Sequence, residues 1–246
     1  MFTVEQRNEV RAHIIEMARS DPRVVSGAEV GSLTLNPNER WGDLDLTFGL
    51  ADGAAVEDTM QDWTERLRRF GAVTLFDLPH RGTFYRVFLF PENLQVDLSL
   101  SPGRVAAMGP KLTMLFGDAI EHLGASPVDP HEILGLAVHH ALRARLSVER
   151  ARMHHAVYYV GELRNETLSL AAVRRELPPR YGRGFDDLPA ELLARATTTF
   201  VRSAERDEIL RALFAGIEIL IDEARGLDDA AELERRLRAL MSHTLA

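Results

Sequence analysis

Cysteine is absent from the 246-residue sequence, and lysine occurs once, at Lys111, among 29 basic residues. Without cysteine the chain has no disulfides, no thiolate metal sites and no cysteine nucleophile. The sequence also lacks a run of about 18 apolar residues, which a membrane span requires. It lacks an apolar signal core near the N-terminus as well. The sequence therefore predicts a cytoplasmic protein that does not contact a membrane.

An excess of positive charge is missing as well. With 37 acidic against 29 basic residues, the formal net charge is −8. Proteins that bind the phosphate backbone of nucleic acids in general carry the opposite balance. Nucleic acid is therefore disfavoured as a partner, and cationic partners are mildly favoured.

What the chain does contain is 46% hydrophobic and 27% charged residues, the composition of a folded globular protein. Short alternating apolar and polar runs between Gly and Pro turns predict a small mixed β-sheet with flanking helices over residues 1–105. From residue 106 to 246 the periodic patterns are helical. The sequence thus predicts an α+β fold, with a sheet domain at 1–105 and a helical bundle at 106–246.

Acidic residues recur on the polar faces of two predicted strands. Asp43 and Asp45 flank Leu44, so both carboxylates lie on one face of their strand, and Asp97 lies on the polar face of a later strand. If the strands pair, three carboxylates converge, and their mutual repulsion calls for a cation such as Mg²⁺. The alternative is a solvated sheet face, on which a lone Asp-x-Asp pattern is common.

The order of these residues is more restrictive than the aspartates alone. Val30-Gly31-Ser32 precedes a short polar spacer, Asp43-Leu44-Asp45 follows, and Val96-Asp97-Leu98 comes on a later strand. Over roughly residues 20–102 this arrangement resembles the nucleotidyltransferase superfamily with a polymerase-β-like palm. The order and size of the domains also resemble the small bacterial nucleotidyltransferases that modify aminoglycoside or lincosamide antibiotics.

The resemblance implies a palm followed by a helical bundle, and it implies site residues. Asp43, Asp45 and Asp97 would bind two Mg²⁺ ions, and Asp97 would also act as the general base. Gly31 and Ser32 would hold the β- and γ-phosphates of an NTP, for which ATP is the first choice.

Two cations are further candidates for contact with the triphosphate. Arg40 lies three residues before Asp43, and Lys111 lies just beyond the predicted sheet domain. A solvated loop arginine and a surface lysine are the alternative interpretations.

The family resemblance implies an enzyme that transfers a nucleoside monophosphate from an NTP to a hydroxyl and releases pyrophosphate. The acceptor would be a small hydroxylated molecule, such as an aminoglycoside- or lincosamide-like antibiotic, and the function would be antibiotic resistance. The alternatives are a toxin–antitoxin nucleotidyltransferase that modifies a protein or an RNA, and a degenerate nucleotide-binding module. The amphipathic helices leave room for a homodimer.

One loop in the second half carries residues suited to ligand binding. Residues 180–187 combine arginine, tyrosine, glycine and two aspartates, which can contact phosphate, an aromatic base or a cationic sugar. We favour a simple helix connector here, because Asp187-Leu188-Pro189 is typical of the start of the next helix. The paired histidines at 139–140 and 154–155 are disfavoured as metal ligands, because adjacent helical residues point about 100° apart.

Overall fold

The computed structural model, which describes residues 1–34, 36, 39–80, 82–107, 112–121 and 128–242, has an α+β fold. Contacts divide the chain into two units, Met1–Ser126 and Pro127–Ala246. The first unit contains the sheet and the second is helical, which confirms the predicted fold class. None of the helices in the described residues is long and apolar enough to cross a membrane.

A six-stranded mixed sheet forms the centre of the first unit. The elements of this unit are α1 (Val4–Arg19), β1 (Val24–Val30), β2 (Leu44–Leu50), α2 (Val56–Arg68), β3 (Val73–His80), β4 (Thr83–Phe90), β5 (Leu94–Pro102), β6 (Val105–Ala107), β7 (Leu112–Phe116) and β8 (Ala119–Glu121). The strand order of the sheet is β3-β4-β5-β2-β1-β7, in which β2 and β5 run parallel and the other neighbours are antiparallel. Strands β6 and β8 form a separate parallel pair.

The boundary predicted at residues 105 and 106 differs from the observed division, which falls between Ser126 and Pro127. Strands β6, β7 and β8 lie at or beyond the predicted boundary, so the prediction of helices alone after residue 105 was wrong for this segment. The physical reason is the pairing of β7 with the far edge of β1. This pairing keeps residues 112–116 in the first unit.

The core of the first unit lies on one face of the sheet. Leu44 and Leu46 of β2 are buried there, and so are Val96 and Leu98 of β5. Helices α1 and α2 contribute Ile14, Met17, Met60, Trp63 and Leu67 to the same cluster. Because side chains alternate along a strand, the polar residues between these leucines lie on the opposite face.

The second unit is a bundle of α3 (Pro130–Glu149), α4 (Met153–Val173), α5 (Ala190–Thr197), α6 (Arg206–Ala224) and α7 (Ala230–Ser242). Helix α3 begins with Pro130 after Asp129, whose carboxylate accepts a hydrogen bond from the His131 N–H at 2.9 Å. Three buried alanines of α3, at 137, 141 and 144, belong to a core shared with α4 and α6. Small side chains in this row allow the helices to pack closely.

Candidate metal centre

The parallel pairing of β2 with β5 brings the three aspartates together. Asp45 lies directly opposite Asp97 in the register of the two strands, and Asp43 immediately precedes β2. Each of the three offers a carboxylate oxygen, and these oxygens all lie within 4.8 Å of one another. Within the described residues, no other group of three or more acidic, histidine or cysteine side chains meets this criterion.

The electrostatics of the cluster favour a bound cation. Burial raises the pKa of Asp97, and the neighbouring carboxylate of Asp43 raises it further. Against these two effects, Gln95 Nε2 donates a hydrogen bond to Asp97 Oδ1 at 2.9 Å, which lowers the pKa. A hard divalent cation with oxygen ligands, of which Mg²⁺ is the common example, fits this all-carboxylate set.

The turn after β1 lies directly against the cluster. Gly31 has a φ of +84°, and a Cβ atom at this position would overlap the carboxylate of Asp45. The next residues, Ser32–Thr34, form a single 3₁₀ turn, and Thr34 Oγ1 donates a hydrogen bond to the Gly31 carbonyl at 2.7 Å. Glycine is required here both for the backbone conformation and for the space. The turn therefore places the Gly31–Ser32 backbone beside the carboxylates, where N–H groups can meet phosphate.

Of the two cations predicted to contact the triphosphate, Arg40 lies within the residues that the structure describes. The Arg40 guanidinium stacks on two aromatic rings, with Cζ 5.3 Å from the ring centre of Phe2 and 4.3 Å from that of Trp41. Contact between Arg40 and a triphosphate therefore stays a prediction. Lys111 lies outside the described residues.

The helical unit contains a cavity of about 600 Å³ that the sequence did not predict. Three glutamates line it, Glu132 of α3 and Glu162 and Glu166 of α4, together with Arg180 and Tyr181 of the segment after α4. Ser169 Oγ holds this segment by a 2.8 Å hydrogen bond to the Pro179 carbonyl. The segment we interpreted as a simple connector thus contributes to the wall of a cavity.

The carboxylates of this cavity influence one another. Burial raises the pKa of Glu166, the charge of Glu162 raises it further, and Arg180 lowers it. The four-residue spacing of Glu162 and Glu166 on one helix face was visible in the sequence. The approach of Glu132 and Arg180 was not, because it depends on how α3 and the segment after α4 pack.

No protein-family model matches the chain, and neither does any curated protein. Among solved structures, the chain is similar to the crystal structure of an aminoglycoside 6-adenyltransferase from Bacillus subtilis. The two chains are 13% identical, the alignment covers 99% of this chain and 100% of that chain, and the TM-score is 0.42. Likeness of this degree does not assign a function, which rests on the chain's own site residues.

Proposed function

We propose that the protein is a Mg²⁺-dependent nucleotidyltransferase that moves a nucleoside monophosphate from an NTP, with ATP as the preferred donor, to a hydroxyl group. The observation that carries the proposal is the cluster of Asp43, Asp45 and Asp97, held together by adjacent parallel strands. The glycine turn packed against Asp45 supports it, because it offers backbone N–H groups next to the carboxylates.

In this reaction the acceptor oxygen attacks the α-phosphorus, the bond from that phosphorus to the bridging oxygen breaks, and pyrophosphate leaves. Asp97 takes the proton of the acceptor hydroxyl and so acts as the general base. The Gly31–Ser32 backbone holds the β- and γ-phosphates. Asp43 and Asp45, with Asp97, would hold two Mg²⁺ ions, whose chemistry when bound would be to neutralise charge on the phosphates.

For the acceptor we propose a small hydroxylated amine of the aminoglycoside type, and for the biological role antibiotic resistance. The cavity in the helical unit supports this choice, because about 600 Å³ is in the range of small-molecule sites. Its glutamates attract ammonium groups, and the exposed ring of Tyr181 offers a face to a sugar or a cation. The net charge of −8 acts in the same direction.

Thermal unfolding tests the donor site. The wild type and the Asp43→Asn variant are heated with each of the four NTPs, with and without Mg²⁺. A ligand at 100 times its dissociation constant stabilises the native state by about 2.7 kcal/mol. We expect a nucleotide shift that requires Mg²⁺ and disappears in Asp43→Asn. A shift that is independent of Mg²⁺, or that survives in the variant, would contradict the proposed metal centre.

Pyrophosphate release then tests the acceptor. With the donor fixed by the unfolding experiment, we expect release only when an aminoglycoside is present. A lincosamide, which carries fewer amino groups, serves as the comparison. Release with the lincosamide alone would retain nucleotidyl transfer and overturn the assignment of a polycationic acceptor.

A further inference from the structure

The charged side chain of Arg7 is buried. It lies on α1 and is 1% exposed, although arginine is seldom fully buried. Its Nη1 donates hydrogen bonds to two backbone carbonyl oxygens, that of Glu39 at 2.5 Å and that of Gly42 at 3.1 Å. Both carbonyls belong to the segment that leads directly into Asp43.

Asp43 needs such support more than the other two aspartates. Asp45 and Asp97 lie within the ladder of β2 and β5, so the register of the sheet fixes their positions. Asp43 precedes Leu44, the first residue of β2, and its position depends on the segment before it. In the described residues, the paired positions of β2 begin at Leu44.

The hydrogen bond to Gly42 acts on Asp43 through covalent geometry. The Gly42 carbonyl lies in the same rigid peptide plane as the nitrogen and Cα of Asp43, so fixing the carbonyl restricts where the Asp43 side chain begins. Gly42 also lies close to Leu33, since a Cβ at Gly42 would lie 2.8 Å from Leu33 Cδ2. The arginine and Leu33 together leave this peptide little freedom.

We propose that Arg7 is a positioning residue of the metal centre, which holds the Gly42–Asp43 peptide so that Asp43 completes the carboxylate cluster. This inference rests on the proposed function. A guanidinium suits the task because the two N–H bonds of Nη1 lie in a fixed plane and serve both carbonyls, whereas the ammonium group of a lysine rotates on a flexible stem.

Mn²⁺ binding without nucleotide is the test, followed by electron paramagnetic resonance of the free ion. Arg7→Met keeps an unbranched apolar stem of similar length and removes the donors, and Arg7→Lys keeps the charge. Groups that orient metal ligands change metal affinity about 10- to 100-fold when they are removed. We expect a loss in this range for Arg7→Met and a smaller loss for Arg7→Lys.

Arg11→Met is the matched control. Arg11 lies one turn further along α1 and forms two hydrogen bonds, of 3.0 and 2.9 Å, with the carboxylate of Glu29 on β1. This variant also removes a partly buried arginine from α1, but it leaves the Gly42 carbonyl held. We expect a lower melting temperature with Mn²⁺ affinity within about twofold of the wild type, below the range for lost orienting groups.

The kinetics give a second readout. In pyrophosphate release, Arg7→Lys should raise the Mg²⁺ concentration for half-maximal rate and recover most of the rate at saturating Mg²⁺. Wild-type Mn²⁺ affinity in a folded Arg7→Met, or an equal loss in Arg11→Met, would overturn the positioning role. If Arg7→Met does not fold, wild-type affinity and Mg²⁺ dependence in Arg7→Lys would overturn it. A wild type that binds no Mn²⁺ would instead overturn the proposed function, and this inference with it.

Discussion

Each unit of the protein contains a group of carboxylates, and the two groups differ in spacing. In the sheet unit, burial and then the charge of Asp43 raise the pKa of Asp97; in the helical unit, burial and then the charge of Glu162 raise that of Glu166. The aspartate oxygens lie within 4.8 Å of one another, whereas the glutamates line a cavity of about 600 Å³ together with Arg180. Closely spaced oxygens suit small metal ions, and carboxylates around a volume suit a larger ligand with several positive charges.

The largest expected effect is the loss of transfer on neutralising one aspartate of the cluster. Asp45→Asn should abolish pyrophosphate release, because an amide is a poor ligand for Mg²⁺ and the ladder position leaves no substitute. Asp97→Asn should lower the rate by about 10²–10⁴-fold if Asp97 is the base. The variants should remain folded, since the substitution relieves repulsion between carboxylates.

Asp118→Asn is the control for these variants. Its carboxylate belongs to the same unit and is exposed, with a distant partner in Arg104 at 3.8 Å. It should release pyrophosphate at the wild-type rate. Wild-type turnover in Asp45→Asn would remove the distinction between the two groups of carboxylates.

Gly31→Ala tests the close approach of the turn to the cluster. A left-handed backbone costs a residue other than glycine about 1–2 kcal/mol, and the new Cβ would also overlap the Asp45 carboxylate. We expect a lower melting temperature together with the loss of the Mg²⁺-dependent nucleotide shift.

Gly53→Ala separates the effect of backbone strain from the effect of overlap with the Asp45 carboxylate. Gly53 has a φ of +83°, almost that of Gly31, but a Cβ there meets nothing within 4 Å. This variant should lose only the stability that the left-handed backbone costs, and it should keep the nucleotide shift. If both variants lost nucleotide binding, the effect would come from backbone strain and not from the position beside Asp45.

Glu166→Gln tests the other side of the comparison. It should weaken the binding of a fluorescently labelled aminoglycoside about tenfold, equivalent to about 1.4 kcal/mol, and leave the Mg²⁺-dependent nucleotide shift intact. Because the folded-state pKa of Glu166 is raised, its charged form opposes folding as pH rises through that pKa. The substitution should therefore also raise the melting temperature at neutral pH.

The exposed Glu191 of α5 provides the matched change, Glu191→Gln, for which we expect neither effect. Conversely, Asp43→Asn should bind the labelled aminoglycoside as the wild type does. Weakened aminoglycoside binding in Asp43→Asn, with wild-type binding in Glu166→Gln, would reverse the proposed roles of the two groups.

The smallest expected effect is on acid unfolding, and it concerns Asp21, which forms an ion pair with Arg23. Asp21 accepts hydrogen bonds from Arg23, and these lower the pKa of its carboxyl. Burial raises that pKa, whereas a hydrogen bond from the Trp63 indole N–H lowers it. The resulting pKa of Asp21 is about 2. A lowered folded-state pKa contributes stability above the unfolded value of about 3.9, and that stability is lost as the pH falls towards 2. Acid unfolding followed by tryptophan fluorescence should be less steep in this range for Asp21→Asn. Equal slopes would show that the Arg23 pair does not contribute.

The sequence predicted the sheet face of the site well, because the period of two along a strand is a local property. The leucines around Asp45 and Asp97 are buried and the aspartates lie on the other face, as the alternation requires. The parallel register that sets Asp45 opposite Asp97 depends on the return of β5 after two intervening strands. The roles of these residues in catalysis stay predictions.

Other features could not be predicted from the sequence, because they depend on contacts between segments that are distant along the chain. Strand β7 has no clear alternation of polar and apolar residues, and its place in the sheet is set by its pairing with β1. The cavity depends on Glu132 and Arg180 meeting α4. Arg7 looks like an ordinary polar residue of an amphipathic helix until the segment before Asp43 covers it.

The parallel neighbours β2 and β5 also have a consequence for how the protein folds. Asp45 and Asp97 are separated by about 50 residues, and contacts over such distances close late and slowly. A divalent ion that binds all three aspartates can do so only after β5 has docked beside β2. Mg²⁺ would then stabilise the native sheet and not the transition state for folding. It would therefore slow unfolding more than it speeds folding, and the cell's supply of the ion would help to set the lifetime of the native protein.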